Sequence, residues 1–295
     1  MMMRAAIFGV ILLLSAGLAM AAGTGGPGGS GHGEGHGESD HGNGHGGSAG
    51  SVAAADGPLC VGYGPQTPRD IASAAGSNPR RFSPAPAAAD LNLCNIHTHT
   101  NAEHKGPGFR VFRGAGDHGG YACNGTDQLT ADQLRPVDAP HFDGVAPGDT
   151  IEVHWVFTSC DVEPGAGLGA CLSDACANPD LRVEAQVFLL ANDPGADDFL
   201  AYAWDGNRVD GRPQPRALPR NTGNPVVFLG STTGPQYSEQ ACSPLQVTWS
   251  VRPFCRTLDI NSLHEWGRRG NVFDEHHSHG VRQLVTAPEL LSRIE

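Results

Sequence analysis

The chain has few aromatic and few charged residues, 6% and 17% of its 295 positions, and acidic residues outnumber basic ones. A net charge of −12 leaves no basic excess of the kind that nucleic-acid binding requires. After the N-terminus, no apolar run reaches the ~20 residues of a membrane-spanning helix. No internal repeat is visible either. These absences argue against a nucleic-acid partner, a polytopic membrane protein and a repeat array.

The N-terminus has the features of an export signal. Arg4 supplies a positive start, Ala5–Leu18 is an apolar run too short to span a bilayer, and Ala19-Met20-Ala21 fits a cleavage site. We predict that residues 1–21 are a signal peptide. The mature protein is then exported, to the periplasm or out of the cell, and has no membrane anchor.

Residues 22–57 are rich in glycine and histidine and contain little that could be buried, which predicts a disordered linker. A compatible role is a low-affinity sink for divalent metal, through His32, His36, His41 and His45. The remaining residues, 58–295, are enough for one catalytic domain with a single core.

Eight cysteines are present, and an even number fits disulfide bonding in an exported protein. A zinc ribbon would need two short cysteine pairs, but only Cys171 and Cys176 are close in sequence. We therefore predict disulfides, with the pairing left open among residues 60, 94, 123, 160, 171, 176, 242 and 255.

Short segments that are rich in β-branched or aromatic residues and bounded by Gly, Pro, Asn or Asp predict strands. They are Leu91–Thr100, Phe109–Arg113, Thr150–Phe157, Arg182–Leu190, Pro225–Leu229 and Leu245–Val251. Short helices are predicted at Thr130–Leu134, Ser262–Arg268 and Pro288–Ile294. The regular alternation of strands and helices found in parallel α/β folds is absent. The sequence thus predicts a mainly β domain with a twisted, largely antiparallel sheet, long loops and a few short peripheral helices.

The stretch CNIHTHTNAEHKG, residues 94–106, contains three histidines and one glutamate. On a strand, residues two apart share a face, so Asn95, His97 and His99 lie together and both imidazoles can converge on one ion. On a helix the same two histidines would diverge, so the spacing favours a metal site on a strand.

A second predicted strand, TIEVHWVF, places Glu152 and His154 on the face opposite its apolar residues. A polar side chain again stands two residues before a histidine, where it could orient the imidazole. Three neutral histidines, His97, His99 and His154, leave a fourth position open on Zn²⁺, the pattern of catalytic zinc sites. Co²⁺ or Cd²⁺ could replace zinc in such a set. His104 is an alternative third ligand, because a turn could bring it to His99.

This pattern resembles the delta-class carbonic anhydrases, whose signature is similar to residues 94–106. Three motifs also resemble those of the alpha class in the same order, and the resemblance covers roughly residues 58–290. The motifs are H-x-H followed by Glu-His (residues 97–104), E-x-H-W (residues 152–155), and GSTTGP (residues 230–235) with a downstream QVTW (residues 246–249). The resemblance implies an alpha-carbonic-anhydrase-like fold and the reversible hydration of CO2 to bicarbonate and a proton by zinc-bound hydroxide.

The roles implied by the resemblance are these. His97, His99 and His154 would bind one zinc ion, while Asn95, Glu152 and His104 would support the ligands from behind. Thr232 would accept a hydrogen bond from the zinc-bound hydroxide and donate one to Glu103, and Thr233 would line the substrate side.

The sequence departs from the alpha class at three places. The separation of His99 and His154 is longer, which predicts an inserted loop or hairpin. GSTTGP lacks the leucine that the alpha class has between Ser231 and Thr232. Either Thr232 or Thr233 could therefore supply the hydroxyl that accepts from the zinc-bound hydroxide and donates to Glu103. No histidine lies between His45 and His97, where the alpha class has its proton shuttle. Substitutes could come from the surface histidines of DEHHSHG: His276, His277 and His279.

Two other functions fit parts of the sequence. A cupin-type metal enzyme would use Glu103 as a direct ligand for Fe or Mn, but the glycines that flank the cupin motif are missing. A non-catalytic extracytoplasmic metal-binding protein would use the histidine-rich segment and bind several ions per chain.

Overall fold

The computed structural model describes residues 57–116, 118–234, 236–281 and 285–295. They belong to one of the two compact units into which the chain divides, Ala49–Glu295. The predicted signal peptide and residues 22–56 of the predicted linker lie outside the described residues.

Ten strands and one α-helix form most of the regular structure among the described residues. The strands are β1 (Asn92–Thr100), β2 (Phe109–Phe112), β3 (Tyr121–Cys123), β4 (Thr150–Thr158), β5 (Leu181–Ala191), β6 (Arg208–Val209), β7 (Arg212–Pro213), β8 (Val226–Ser231), β9 (Gln246–Val251) and β10 (Arg256–Asp259). The helix, α1, is Ile260–Arg269, and single 3-10 turns are Ala88–Asp90, Thr126–Gln128, Leu168–Cys171, Phe199–Ala201 and Pro288–Leu290.

The main sheet has six strands in the order β1-β4-β5-β9-β8, and β10 also pairs with β5. Antiparallel pairs join β1 to β4, β4 to β5 and β8 to β9, whereas β9 and β10 each run parallel to β5. The prediction of a mainly β domain is confirmed. The sheet is mixed because β9 and β10 both run parallel to β5. These two strands pair with successive parts of β5, and the chain breaks between them at Pro253, which has no N–H to donate to a ladder.

All six predicted strands are present, within a few residues of their predicted ends. Residues 131–134 form a turn rather than the predicted helix, and the predicted helix at residues 288–294 is limited to the 3-10 turn Pro288–Leu290. The insertion predicted between His99 and His154 contains the antiparallel β2–β3 hairpin.

Strand β4 is buried at every position, because both faces of the sheet are covered. Its odd-numbered residues, such as Val153 and Trp155, share a core with Leu263 and Trp266 of α1. Val156, on the opposite face, belongs to a second core with side chains from β5 and β9. Each fully buried apolar side chain contributes roughly 1.5–3 kcal/mol, so β4 is held firmly from both sides.

All eight cysteines form disulfides, as predicted: Cys60–Cys242, Cys94–Cys171, Cys123–Cys255 and Cys160–Cys176. Four disulfides are typical of proteins in an oxidising, extracellular environment. Of the helices in the part of the chain that the structure describes, none has the length and hydropathy of a membrane span.

Candidate metal centre

The antiparallel register of β1 and β4 brings the three predicted ligands together. His97 lies directly opposite His154, and His99, two residues further along β1, lies opposite Glu152. Directly opposed residues on one face have their Cβ atoms about 4.5–5.5 Å apart, so the three imidazoles meet over a single patch of the sheet.

The three rings form a nearly equilateral triangle. Their centroids are 5.1 Å apart for His97 and His99, 5.0 Å for His97 and His154, and 4.8 Å for His99 and His154. One ring nitrogen from each of the three lies within 4.8 Å of the others. His104 is outside this group, so the set of His97, His99 and His104 is not brought together.

Two neutral acceptors determine the tautomers of the β1 histidines. His97 Nδ1 donates to Asn95 Oδ1 at 2.7 Å, and Asn95 Nδ2 donates to the Gly165 carbonyl at 3.0 Å, which holds the amide in this orientation. His99 Nδ1 donates to the Gly280 carbonyl at 3.3 Å. The Nε2 lone pairs of His97 and His99 are therefore free to bind a metal.

His154 presents the opposite nitrogen. Its Nδ1 is 3.2 Å from His97 Nε2, while its Nε2 faces Glu152 Oε1 at 3.6 Å. A proton on Nε2 next to this carboxylate leaves the Nδ1 lone pair directed at the other two histidines. Three lone pairs thus converge, two from Nε2 atoms and one from Nδ1.

This donor set fits a zinc ion. Two nitrogens bound to tetrahedral Zn²⁺ at 2.0–2.1 Å are about 3.3 Å apart, close to the 3.2 Å between His97 Nε2 and His154 Nδ1. His99 Nε2 is buried and has no hydrogen-bond partner among the described residues, which is costly unless a ligand binds it. Burial, followed by the nearby His154 and His99, also holds the pKa of His97 well below its ordinary value, which favours the neutral form that metals bind.

Behind the ligands, Glu152 and His104 form a fully buried pair. Glu152 Oε1 accepts from His104 Nδ1 at 2.8 Å, and Glu152 Oε2 accepts from the Glu103 backbone N–H at 2.7 Å. Burial by itself would raise the pKa of Glu152, but the charge and hydrogen bond of His104, and then His154, hold that pKa well below its ordinary value. The sequence placed Glu152 beside His154 alone, whereas in the structure the side chain closest to its carboxylate is that of His104.

The Glu103 carboxylate lies beside the cluster. Both of its oxygens are buried and accept no hydrogen bond from the described residues, and Oε1 is 3.7 Å from His99 Nδ1. The predicted hydrogen bond from Thr232 to Glu103 is not formed among the described residues. The Thr232 hydroxyl instead pairs with Ser243 Oγ at 2.6 Å. Ser243 had no distinguishing signal in the sequence, because it lies on a loop eleven residues beyond Thr232.

Two cavities adjoin the histidines. The first, the apolar pocket, is a small enclosed space of about 30 Å³. It is lined by His97, His154 and Thr232 together with mostly apolar side chains, among them Val156, Leu172, Leu181, Val183, Val247 and Trp249.

The second, the polar cavity, is a larger and more open space of about 420 Å³. His97, His99, Glu103 and Thr233 line one side of it, and residues 273–277, 279 and 280 line another. The cluster therefore has an apolar flank and a polar flank.

The family model described as "Delta carbonic anhydrase" matches residues 88–262, more than half of the chain. No curated protein matches this chain. Among solved structures, the alpha-carbonic anhydrase from Thermovibrio ammonificans in complex with the inhibitor sulfanilamide matches at 14% identity. That match covers 74% of this chain and 87% of the other, with a TM-score of 0.28.

Proposed function

This chain belongs to the delta carbonic anhydrase family, and from that premise we propose that it is a zinc enzyme that catalyses the reversible hydration of CO2 to bicarbonate and a proton. The observation that carries the proposal is the convergence of three imidazoles, with one ring nitrogen from each within 4.8 Å of the others. Three protein ligands that leave one position open are typical of catalytic zinc, and a set without a carboxylate also allows Co²⁺ or Cd²⁺ as substitutes.

His97, His99 and His154 are the proposed ligands for one ion per chain. Bound Zn²⁺ supplies Lewis acidity that lowers the pKa of a coordinated water to about 7, as is established for other carbonic anhydrases. Asn95 keeps the proton of His97 on Nδ1, through the 2.7 Å hydrogen bond to its amide oxygen. The Glu152 carboxylate, whose Oε1 is 3.6 Å from His154 Nε2, favours a proton on that nitrogen through its charge, and the hydrogen bond from His104 holds the carboxylate in place.

The apolar pocket is the proposed binding place of CO2. The substrate is small and uncharged, so it needs exclusion of water more than it needs hydrogen bonds. A volume of about 30 Å³ bounded by Val156, Val183 and Val247 suits a molecule of three heavy atoms beside His97 and His154.

Two threonines and one glutamate are the proposed polar groups of the reaction. Thr232 lines the apolar pocket, where its hydroxyl can orient the attacking water, and Ser243 restrains that hydroxyl through the 2.6 Å contact. Glu103 offers a buried carboxylate with unused acceptor capacity. Thr233 shares the polar cavity with Glu103 and also lines the apolar pocket, which is the substrate side.

Location in the periplasm or outside the cell, after removal of residues 1–21, belongs to the same proposal. Four disulfides support it, because they persist in oxidising compartments. A cupin-type enzyme is a weaker account, since Glu103 would then be a ligand and it is not in the group of converging donor atoms. A purely metal-binding protein is also weaker, because a storage role requires neither the apolar pocket nor the unpaired Glu103.

The test is stopped-flow CO2 hydration by the purified full-length protein, with its metal content measured before and after treatment with a chelator. We expect fast hydration with about one zinc per chain, loss of both on chelation, and recovery of both with added zinc. A zinc-loaded protein without activity would overturn the enzyme proposal. Several loosely bound ions per chain would favour metal storage, and activity restored only by iron or manganese would favour the cupin account.

A further inference from the structure

The proposed reaction leaves a proton behind. Hydration of CO2 by one water yields one bicarbonate and one proton, so every turnover must transfer a proton from a buried site to solvent. The inference that follows rests on the proposed function. It concerns the group that receives this proton, because His97, His99 and His154 are committed to metal binding and are buried or nearly so.

Residues 274–280, DEHHSHG, are here called the histidine tract. The tract lies alongside β1, because the His279 N–H donates to the Thr98 carbonyl at 2.9 Å and the Thr100 N–H donates to the His279 carbonyl at 2.7 Å. Its other edge is bonded to Asp143, through Asp143 N to the His276 carbonyl and Ser278 N to the Asp143 carbonyl. These four backbone hydrogen bonds hold the tract at the wall of the polar cavity.

The rings of the tract form a path from the metal centre outward. The His279 centroid is 6.4 Å from that of His97 and 6.2 Å from that of His99. The His277 centroid is 4.6 Å from that of His279, and the His276 centroid is 5.2 Å from that of His277. Exposure rises along the same path, from partly buried His279 to exposed His277 and His276. The rings within the tract are in contact, and a single water can bridge the wider separation between His279 and the rings of His97 and His99.

Two of these three histidines have a carboxylate partner. His279 Nε2 is 2.9 Å from Glu275 Oε2, and the other oxygen of this buried glutamate accepts from the Thr98 N–H at 2.7 Å. His276 Nδ1 is 3.7 Å from Asp274 Oδ1. Each of these two rings is therefore held by a partner rather than left free to turn between the cavity and solvent.

His277 differs from both neighbours. Its side chain makes no hydrogen bond and no ion pair with any described residue, and its ring contacts only the rings of His276 and His279. The charged residue beside it on the adjacent segment, Asp143, contacts the tract through backbone atoms. His277 is also exposed and lines the polar cavity, so one ring faces both the metal centre side and solvent.

We propose that His277 is the proton-transfer residue of this site, which passes the proton from the polar cavity to buffer and returns it in the reverse reaction. The imidazole gains the proton on one nitrogen and loses it from the ring to a buffer base, so the residue is unchanged after each turnover. His279 and Glu275 are positioning residues in this account, because they hold the tract against β1.

The test compares zinc-loaded full-length wild type with His277→Ala in stopped-flow hydration at low buffer concentration. We expect kcat to fall roughly 10- to 100-fold while kcat/KM stays unchanged. Positioned acid–base groups typically contribute about 100-fold or more, so this fall is at the lower end of that range or below it. Added imidazole should restore kcat. Zinc content and zinc affinity, measured by competition with a chromophoric chelator, should equal those of wild type.

The matched control is His118→Ala, which removes an exposed histidine that does not line either cavity and should change nothing. Unchanged kcat in His277→Ala would overturn the inference and leave the proposed function standing. So would an equal fall in kcat and kcat/KM, a loss of zinc, or a loss of kcat in His279→Ala that His277→Ala does not share. A zinc-loaded wild type without hydration activity would instead overturn the proposed function itself.

Discussion

Two groups of three histidines lie close together and differ in burial, in secondary structure and in the partners of their rings. The strand histidines are His97, His99 and His154, and the tract histidines are His276, His277 and His279. The nearest rings of the two groups are 6.2–6.4 Å apart. The strand histidines are largely buried on two paired strands, whereas the tract histidines lie on an irregular segment and are exposed or half-exposed.

One difference separates His97 and His99 from His279, namely the chemistry of the hydrogen-bond acceptor of each ring, although His154 faces the Glu152 carboxylate. His97 and His99 donate to an amide oxygen and a backbone carbonyl, Asn95 Oδ1 and Gly280 O. Neutral acceptors fix the ring and its tautomer without stabilising the imidazolium. His279 instead meets a carboxylate, and its hydrogen bond to Glu275 raises the pKa of His279 against the effect of burial. The partners of each ring thus separate His97 and His99, which donate to neutral oxygens, from His279, which pairs with a carboxylate.

The largest expected effect is the difference in zinc content and activity between two variants, each of which lacks one histidine of one group. His154→Ala should reduce zinc content from about one per chain to near zero and hydration to the uncatalysed rate, because two histidines leave the ion without a third protein ligand. His276→Ala is the matched change in the other group and should retain zinc and most activity. Metal analysis and stopped-flow rates measure both. Zinc retained by His154→Ala and lost on further removal of His104 would show that the ligand set is wrong.

A smaller effect should follow from exchanging the acceptor chemistry between the groups. Asn95→Ala removes the acceptor of His97 Nδ1 and should weaken zinc affinity by about 10- to 100-fold, the usual cost of losing a partner of a ligating histidine. Asn95→Asp keeps an acceptor but makes it anionic, which should raise the pKa of His97 in the metal-free protein. Chelator competition and NMR titration measure the two effects. An affinity in Asn95→Ala equal to that of wild type would mean that the amide does not orient the ring.

The smallest effect concerns the stability of the metal-free protein against pH, to which His97 and His99 of one group and His279 of the other should contribute with opposite signs. Burial is the first cause that lowers the pKa values of His97 and His99, so the unfolded state binds more protons below its histidine pKa of about 6.5. The free energy of unfolding should then decrease as pH falls from about 7 to 5, by at most about 1.4 kcal/mol per pH unit for each histidine.

His279 has a raised pKa in the folded state, so its stabilising contribution is complete below about pH 6.5 and is lost as pH rises through that raised value. The effect should be small, because its side chain is 41% exposed. Urea denaturation of the metal-free wild type, His97→Ala and His279→Asn across this range separates the two. An acid-side slope that His97→Ala leaves unchanged would contradict the assignment.

Much of the fold could be predicted because its signals are local. The six strongest strand segments, from β1 to β9, were identifiable by β-branched and aromatic residues bounded by turn formers. The strands β3, β6 and β7 were not, because two or three residues carry too little pattern and form only where a partner strand is supplied. The four residues RTLD of β10 have fewer β-branched and aromatic side chains than the four residues FRVF of β2, which was predicted. Residues 131–134 have helix-forming composition, but they are mostly exposed and form a single turn.

The period of two residues along a strand was sufficient, from the sequence alone, to place Asn95, His97 and His99 on one face and Glu152 with His154 on another. That alternation is a property of any extended chain, so it needs no knowledge of the rest of the molecule. Only the tertiary structure decided that His97 stands opposite His154, 57 residues away, because strand register depends on burial and turn geometry over the whole sheet. The same holds for Glu275 and Gly280, which reach β1 from 177 and 181 residues away. No local pattern specifies contacts of that separation, and these contacts distinguish a ligand from a titrating surface histidine.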